Sequence, residues 1–306
     1  MKIYIHTKFQ DPEIQAFKDA LSPKYEVVIG QGQNSEEKKV QFLDSEICYG
    51  NPPLDWANET NKLQWLQLNS AGLDPYQQLK EDYKFQFTNL KGYFGLSVAE
   101  TTVAGILGVY RKIDELARLQ TLKQWIGVPI RENLYLLSKK KVLVLGSGAI
   151  AQKIKQMLSG FECETTLLDS KTVGQITDYL TDTDILISTL PETTETKGLI
   201  SKEYLSMLNS TALFVNVGRG TNVDEKALIE ILQAKRIMGA VLDVTEIEPI
   251  PVESPLWEME NVLLTQHSSG GWIEESSGKV KFFLENLDRF EKGEELLNKV
   301  DLGKGY

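Results

Sequence analysis

Three side chains of the kinds that move protons and bind anions each stand just past a short apolar run. Arg219 lies in "VNVGRG", Glu248 follows Asp243 in "LDVTEIEP", and His267 lies in "VLLTQHSSG". His267 is one of only two histidines in 306 residues, the other being His6. An imidazole exchanges a proton near neutral pH. A carboxylate beside it orients the ring and raises its pKa, which keeps it charged for donation. A guanidinium offers a planar fork to a carboxylate and a fixed positive charge to a polarised carbonyl. Singly, each has a plain alternative: a surface arginine in a Gly turn, a solvated loop acid before Pro249, a packing histidine. Placed beyond the carboxyl ends of successive strands, they favour one joint acid–base site.

A fourth element of chemistry lies upstream. "VLVLGSGAIA" puts Gly146, Gly148 and Ala151 directly after a strand and at the opening of a helix. Gly146 permits the tight turn. Gly148 lets the backbone approach a pyrophosphate, which would sit on the free N–H groups of the helix start at Ala149 and Ile150. Asp169 ends the next strand, where its carboxylate can accept hydrogen bonds from adenosine ribose hydroxyls, a pattern that favours NAD over NADP. Ser170 and Lys171 come next in the chain and leave a route for a 2′-phosphate. The plain alternative is a glycine turn that holds no nucleotide.

These residues need a sheet to hold them. From Lys141 onward, "VLVLG", "TTLLD", "DILIST", "ALFVNVG", "GAVLDV" and "NVLLTQ" are six mostly apolar runs, the pattern of parallel strands buried on both faces. "AIAQKIKQML" and "DEKALIEILQAK" are helical between them. Residues 2–100 alternate in the same way, with strands at "KIYIH", "YEVVIG", "SEICYG" and "LQWLQLN" and helices at "DPEIQAFKDAL" and "EEKKVQFL". Ser97 and Glu100 have capping-box spacing ahead of a long apolar helix over 97–119. The closing stretch from Gly271 reads as an amphipathic helix that returns to the first domain. The expectation is an α/β chain of two doubly wound parallel-sheet domains, with residues 98–272 inserted between 1–97 and 273–306.

Composition removes other classes. Lys and Arg total 33 against 43 Asp and Glu, a net charge of −10, which lacks the basic footprint of a nucleic-acid binder. Cys48 and Cys163 lie far apart in apolar surroundings and read as reduced thiols, not a disulfide or metal pair. No apolar run has the length of a membrane span or a secretion signal, so the expected location is cytoplasmic.

The succession from "VNVGRG" through "LDVTEIEP" to "QHSSG", behind "VLVLGSGAIA" and "STLPETTETKGLI", closely resembles the D-isomer-specific 2-hydroxyacid dehydrogenase family. "LQWLQLNSAGLD" and "FGLSVAETTVAGIL" resemble that family's substrate-domain loop and interdomain helix. The resemblance covers most of residues 60–285. It implies a Rossmann nucleotide-binding domain inserted into a flavodoxin-like substrate domain. It implies Arg219, Glu248 and His267 as the catalytic set, with Asp243 near the nicotinamide carboxamide. Val217 and Gly218 become backbone cofactor contacts, and Thr189, Leu190 and Pro191 the loop flanking the adenosine. Ala71 and Gly72 become the loop that holds a substrate carboxylate through N–H groups.

The function implied by the resemblance is reversible hydride transfer between NAD(H) and C2 of a small 2-oxo or D-2-hydroxy acid, held between the domains of a homodimer. Neither a metal nor a nucleic acid nor a membrane enters. Trp125 stands where family members often carry a tryptophan that reaches a neighbouring subunit, and Trp272 and Tyr76 are candidate walls. Gln266 replaces the family's usual Pro, Thr189 a frequent His and Thr245 the usual aromatic, departures that bear on substrate choice. The rival expectation is an NAD(H)-sensing, corepressor-like interaction protein on the same scaffold, against which the intact Arg–Glu–His set and the acidic charge argue.

Overall fold

The structure is a computed structural model that describes residues 1–8, 11–21 and 24–302. The chain divides into two compact units, Met1–Tyr93 with the segment from Trp272 onward, and Phe94–Gly271. The first boundary falls a few residues before the expected junction at 97, because the helix that opens the second unit already starts at Gly95.

The first unit is built on a five-stranded sheet: β1 (Lys2–Ile5), β2 (Glu26–Ile29), β3 (Ile47–Tyr49), β4 (Trp65–Gln67) and β5 (Gln86–Thr88). The order is β2-β1-β3-β4-β5 and every pairing is parallel, the flavodoxin-like winding. Interior strand β1 buries Ile3, Tyr4 and Ile5 completely, which is why its side chains do not alternate in polarity. Helices α1 (Asp11–Leu21), α2 (Ser35–Leu43) and α3 (Leu54–Glu59) connect the early strands. A capping box starts α2: Asn34 Oδ1 accepts the Glu37 N–H at 2.9 Å while Glu37 accepts the Asn34 N–H at 3.0 Å. The C-terminal helix Glu275–Lys292 belongs to this unit, with Phe283 stacked on Trp65 at 5.1 Å between ring centroids. Strand β5 was not foreseen among the four expected strands.

In the second unit, helices α4 (Gly95–Tyr110), α5 (Ile113–Thr121) and α6 (Val128–Arg131) precede a six-stranded sheet. Its strands are β6 (Lys141–Leu145), β7 (Glu164–Leu168), β8 (Ile185–Ser188), β9 (Leu213–Asn216), β10 (Gly239–Leu242) and β11 (Val262–Leu264), which match the six apolar runs. The order is β11-β10-β9-β8-β6-β7, again wholly parallel. The order reverses between β6 and β8, so a crevice opens beyond their carboxyl ends. Helices α7 (Ala149–Ser159), α8 (Thr177–Leu180), α9 (Lys202–Met207) and α10 (Glu225–Gln233) cover the two faces. One apolar cluster gathers Leu143, Leu186 and Phe214, the other Val144, Ile187 and Val215, as alternation along buried strands requires.

Two helical expectations are corrected. Ser97 and Glu100 do not form a capping box: α4 has already begun at Gly95, and the Ser97 hydroxyl donates back to the Phe94 carbonyl at 3.1 Å and to that of Gly270 at 3.2 Å. The helix over 97–119 is not continuous either. It breaks after Tyr110, and Lys112 adopts φ 56°, a left-handed residue that an α-helix cannot contain. Cys48 is a buried free thiol and Cys163 a half-buried one. Among the described residues no helix is long and apolar enough to cross a membrane.

Candidate active site

The glycine loop is shaped as its spacing demands. Gly146 has φ 110°, and a Cβ there would run into the Thr189 hydroxyl, so both the conformation and the space exclude a side chain. Gly148 occupies the N-cap of α7, where no side chain caps the helix and a Cβ would meet nothing within 4 Å. The first N–H groups of α7 therefore open onto exposed space, the arrangement that receives a pyrophosphate. Ala151 is fully buried where the helix meets the sheet. Asp169 Oδ1 accepts the N–H groups of Lys171 at 2.9 Å and Thr172 at 3.0 Å and the Thr172 hydroxyl at 2.9 Å. These donors, the Thr172 hydroxyl first, hold its carboxyl below the usual carboxylate range. Its Oδ2 has no partner among the described residues. The residues present therefore fit a dinucleotide.

The loop Thr189–Pro191 adjoins this site from β8. Thr189 donates its hydroxyl to the Leu145 carbonyl at 2.9 Å. Asn222 donates to the Leu190 and Pro191 carbonyls at 2.9 and 3.2 Å. Gly218 packs so closely that a Cβ would lie 2.5 Å from the Leu190 carbonyl oxygen. Val217 and Gly218 are thus pressed against the 189–191 loop, and Asn216 fixes their turn by accepting the Gly218 N–H at 3.1 Å and donating to the Arg219 carbonyl at 3.0 Å.

Arg219 comes after β9, Glu248 after β10 and His267 after β11, three adjacent strands in register. His267 Nδ1 stands 2.6 Å from Glu248 Oε2. Glu248 Oε1 accepts the Thr245 N–H at 3.0 Å, so the acid is held on both oxygens. Among the described residues no hydrogen bond engages Nε2 of His267. Gly220, next to Arg219, lies against the Thr245 carbonyl so tightly that any Cβ would overlap it, which presses the arginine loop onto the Glu248 loop. Arg219 itself donates from Nη1 to the Gly218 carbonyl at 2.9 Å.

Asp243 has a task that its type and position alone did not reveal. It is 4% exposed, and its Oδ1 accepts the Thr265 hydroxyl at 2.6 Å and the Ser268 and Ser269 N–H groups at 3.1 and 3.2 Å. Its Oδ2 accepts the Ser269 hydroxyl. The His267 N–H donates to the Asp243 carbonyl at 2.6 Å. Asp243 thus anchors the histidine loop. Gln266 and His267 are both left-handed, at φ 55° and 52°. Proline cannot adopt that φ, so Gln266 and the local backbone are consistent with each other. Thr265, Ser269, Asn216 and Asn222 escaped the sequence reading. The available signal was a polar residue ending an apolar strand, as in "FVN" and "LLT".

In the first unit, Ala71 and Gly72 lie in the loop after β4. The Ala71 carbonyl accepts from Asn89 at 2.7 Å and that of Gly72 from Ser70 at 3.1 Å, while their N–H groups find no acceptor among the described residues. Tyr76 is corrected: it is 1% exposed, with its hydroxyl on the Pro52 carbonyl, and is a core residue, not a wall. Trp272 is 38% exposed and packs on Tyr93 at 5.0 Å. Trp125 is 95% exposed.

Residues 103–269 match the family model described as "D-isomer specific 2-hydroxyacid dehydrogenase, NAD binding domain". The chain belongs to the D-isomer specific 2-hydroxyacid dehydrogenase family. It is 30% identical over 223 residues to a glyoxylate/hydroxypyruvate reductase A of Salmonella choleraesuis, covering 69% of this chain and 70% of that relative. A D-isomer specific 2-hydroxyacid dehydrogenase from Xanthobacter autotrophicus, solved with NADPH and MES, superposes with a TM-score of 0.81 at 26% identity, covering 100% of this chain and 99% of that one. D-mandelate dehydrogenase of Rhodotorula graminis shares the fold, with a TM-score of 0.86 at 20% identity over 98% of this chain and 97% of that one. Membership in this dehydrogenase family makes the chain an oxidoreductase of the nicotinamide-dependent 2-hydroxyacid class.

Proposed function

We propose that this dehydrogenase reversibly reduces a small 2-oxo acid to the D-2-hydroxy acid with NADH, and that Arg219, Glu248 and His267 carry the reaction. The observation behind this reading is the 2.6 Å contact between His267 Nδ1 and Glu248, on a loop pressed against that of Arg219. Reduced nicotinamide dinucleotide, when bound, supplies the hydride that C2 accepts. Protonated His267 gives its Nε2 proton to the carbonyl oxygen as that oxygen becomes an alkoxide. Glu248 orients the ring through Nδ1 and balances its charge. The Arg219 guanidinium holds the substrate carboxylate and draws electron density from the carbonyl. In the oxidation direction neutral His267 takes the proton back. The N–H groups of Ala71 and Gly72 are proposed to hold a substrate carboxylate. Gly146, Gly148, Ala149 and Ile150 would receive the pyrophosphate, Asp169 the ribose, Thr189–Pro191 the adenosine side and Val217 and Gly218 the nicotinamide side; Asp243 would approach its carboxamide while anchoring the loop.

NAD is favoured over NADP because Asp169 is held ionised where a 2′-phosphate would arrive. We also propose a homodimer, supported by the exposed apolar stretch of Leu122, Trp125 and Val128, at 64, 95 and 64%. A panel of 2-oxo acids assayed with NADH and NADPH separately, read at the reduced-nicotinamide absorbance, tests the activity. No turnover with any of them rejects it. Light scattering on the purified chain tests the dimer, and a monomer at micromolar concentration rejects it.

A further inference from the structure

Glu225, in the first turn of α10, has no part in the proton or hydride transfer. Its carboxylate does not serve the free N–H groups of its own helix. Asp224 caps that helix, accepting the Ala227 N–H at 3.0 Å. Glu225 instead reaches across to the next loop, where its Oε2 accepts the Glu246 N–H at 2.7 Å. Burial raises its pKa above the usual carboxylate value, and Glu246 and Glu248 are the charges that act on it. Half-burying a carboxylate toward two others is unfavourable unless it gains a hydrogen bond there.

Position explains what that bond does. Glu246 sits between Thr245, whose N–H holds Glu248 Oε1, and Glu248 itself. A second local bond runs from the Thr245 hydroxyl to the Ile247 carbonyl at 2.9 Å. Neither local bond fixes how the loop stands on the sheet. Besides the His267 contact on Glu248 itself, two contacts do so: the Gly220 backbone against Thr245, and Glu225 accepting the Glu246 N–H. Both come from the segment that also carries Arg219. We propose that Glu225 is a positioning residue that braces the Thr245–Glu248 loop, so that Glu248 stays aligned on His267 and in fixed register with Arg219. A 1 Å drift in such a constellation is costly in turnover.

This role rests on the catalytic assignment of Arg219, Glu248 and His267, and its test separates the two. Glu225→Gln keeps the length and the acceptor oxygen. Glu225→Asp keeps the charge but falls short of the Glu246 N–H, and Glu225→Ala removes the contact. Expected are near-normal turnover for Glu225→Gln and a kcat lowered about tenfold for Glu225→Asp and Glu225→Ala, with KM for the 2-oxo acid little changed. An independent reading comes from the ring proton on His267 Nδ1, whose short bond to Glu248 places it at low field in the proton NMR spectrum. With only two histidines, His6→Gln makes the assignment. The low-field signal is expected in the parent and Glu225→Gln, and displaced in Glu225→Asp and Glu225→Ala. An unchanged signal and kcat in Glu225→Asp overturn the brace, as does an equal loss in Glu225→Gln. If the parent reduces no 2-oxo acid, the catalytic assignment fails, while the NMR comparison still decides the brace.

Discussion

At the scale of single residues, the candidates for chemistry were legible where a side chain stands out by its own functional group. His267, Glu248 and Arg219 stood out by type and by place after strands, and the structure puts the first two in contact. Replacing His267 by Ala removes the proposed proton donor, and kcat is expected to fall at least ~100-fold, the usual scale for a general acid. Near-normal turnover in that variant would remove His267 from the mechanism. Arg219→Ala should raise KM and lower kcat together, since one guanidinium is proposed to serve both binding and polarisation. Steady-state kinetics with unchanged values for both would refute the double role. Asp169 calls for a different measurement. Its carboxyl is kept ionised by the Thr172 hydroxyl and two backbone N–H groups. Asp169→Asn should weaken NADH and relieve the repulsion of a 2′-phosphate, moving the ratio of the two dissociation constants at least about fivefold toward NADPH. A ratio that does not move, measured by fluorescence titration, would deny Asp169 its part in cofactor choice.

Elements were legible where period and length agree, and illegible where tertiary contacts set the ends. The six apolar runs of the second sheet needed only their buried pattern. The break at Lys112 did not announce itself, because "VYRKIDEL" keeps helical composition through a residue at φ 56°. Ser97 looked like a cap, yet its hydroxyl is used inside the first turn, where the Gly270 carbonyl also accepts it. Loop anchors were hidden for a related reason. Thr265, Ser268 and Ser269 are ordinary loop residues until they are seen converging on Asp243. Asp243→Ala would leave the N–H groups of Ser268 and buried Ser269 and two hydroxyls without their acceptor, at a cost of about 3 kcal/mol. The expected outcome is a melting temperature lower by several degrees together with a kcat reduced more than tenfold, since the left-handed pair Gln266–His267 loses its support. A variant that melts and turns over like the parent would show that the loop holds itself.

For the whole molecule, alternation of strands and helices announced two parallel sheets, and the amphipathic tail announced a helix that rejoins the first unit. Strand β5 went unseen because its "QFT" holds one apolar residue between two polar ones, whereas the equally short "ICY" and "WLQ" of β3 and β4 hold three and two. The polar core of that unit was equally hidden. Asn286, fully buried on the C-terminal helix, donates to Gln67 Oε1 at 3.0 Å and to the Leu297 carbonyl at 3.1 Å, and accepts the Leu297 N–H at 2.8 Å. Thr88 links the same network, donating to Gln67 at 2.8 Å and accepting the Trp65 indole N–H at 2.8 Å. One amide side chain thus ties the last helix and the segment after it to strands laid down at the other end of the chain. Asn286→Ala leaves the half-buried Leu297 N–H and carbonyl without their partner and opens a small void, about 2–4 kcal/mol in all. The apolar clusters of the two units share no residue, so the loss should be local. Hydrogen exchange is the measurement. Amides of β1, β3 and β4 should exchange faster in Asn286→Ala, by roughly 30-fold or more as that free energy implies, while those of β6, β8 and β9 keep their rates. Equal acceleration in both sheets would mean that the first unit is not an independent folding unit, and no acceleration anywhere would mean that the network does not hold the helix.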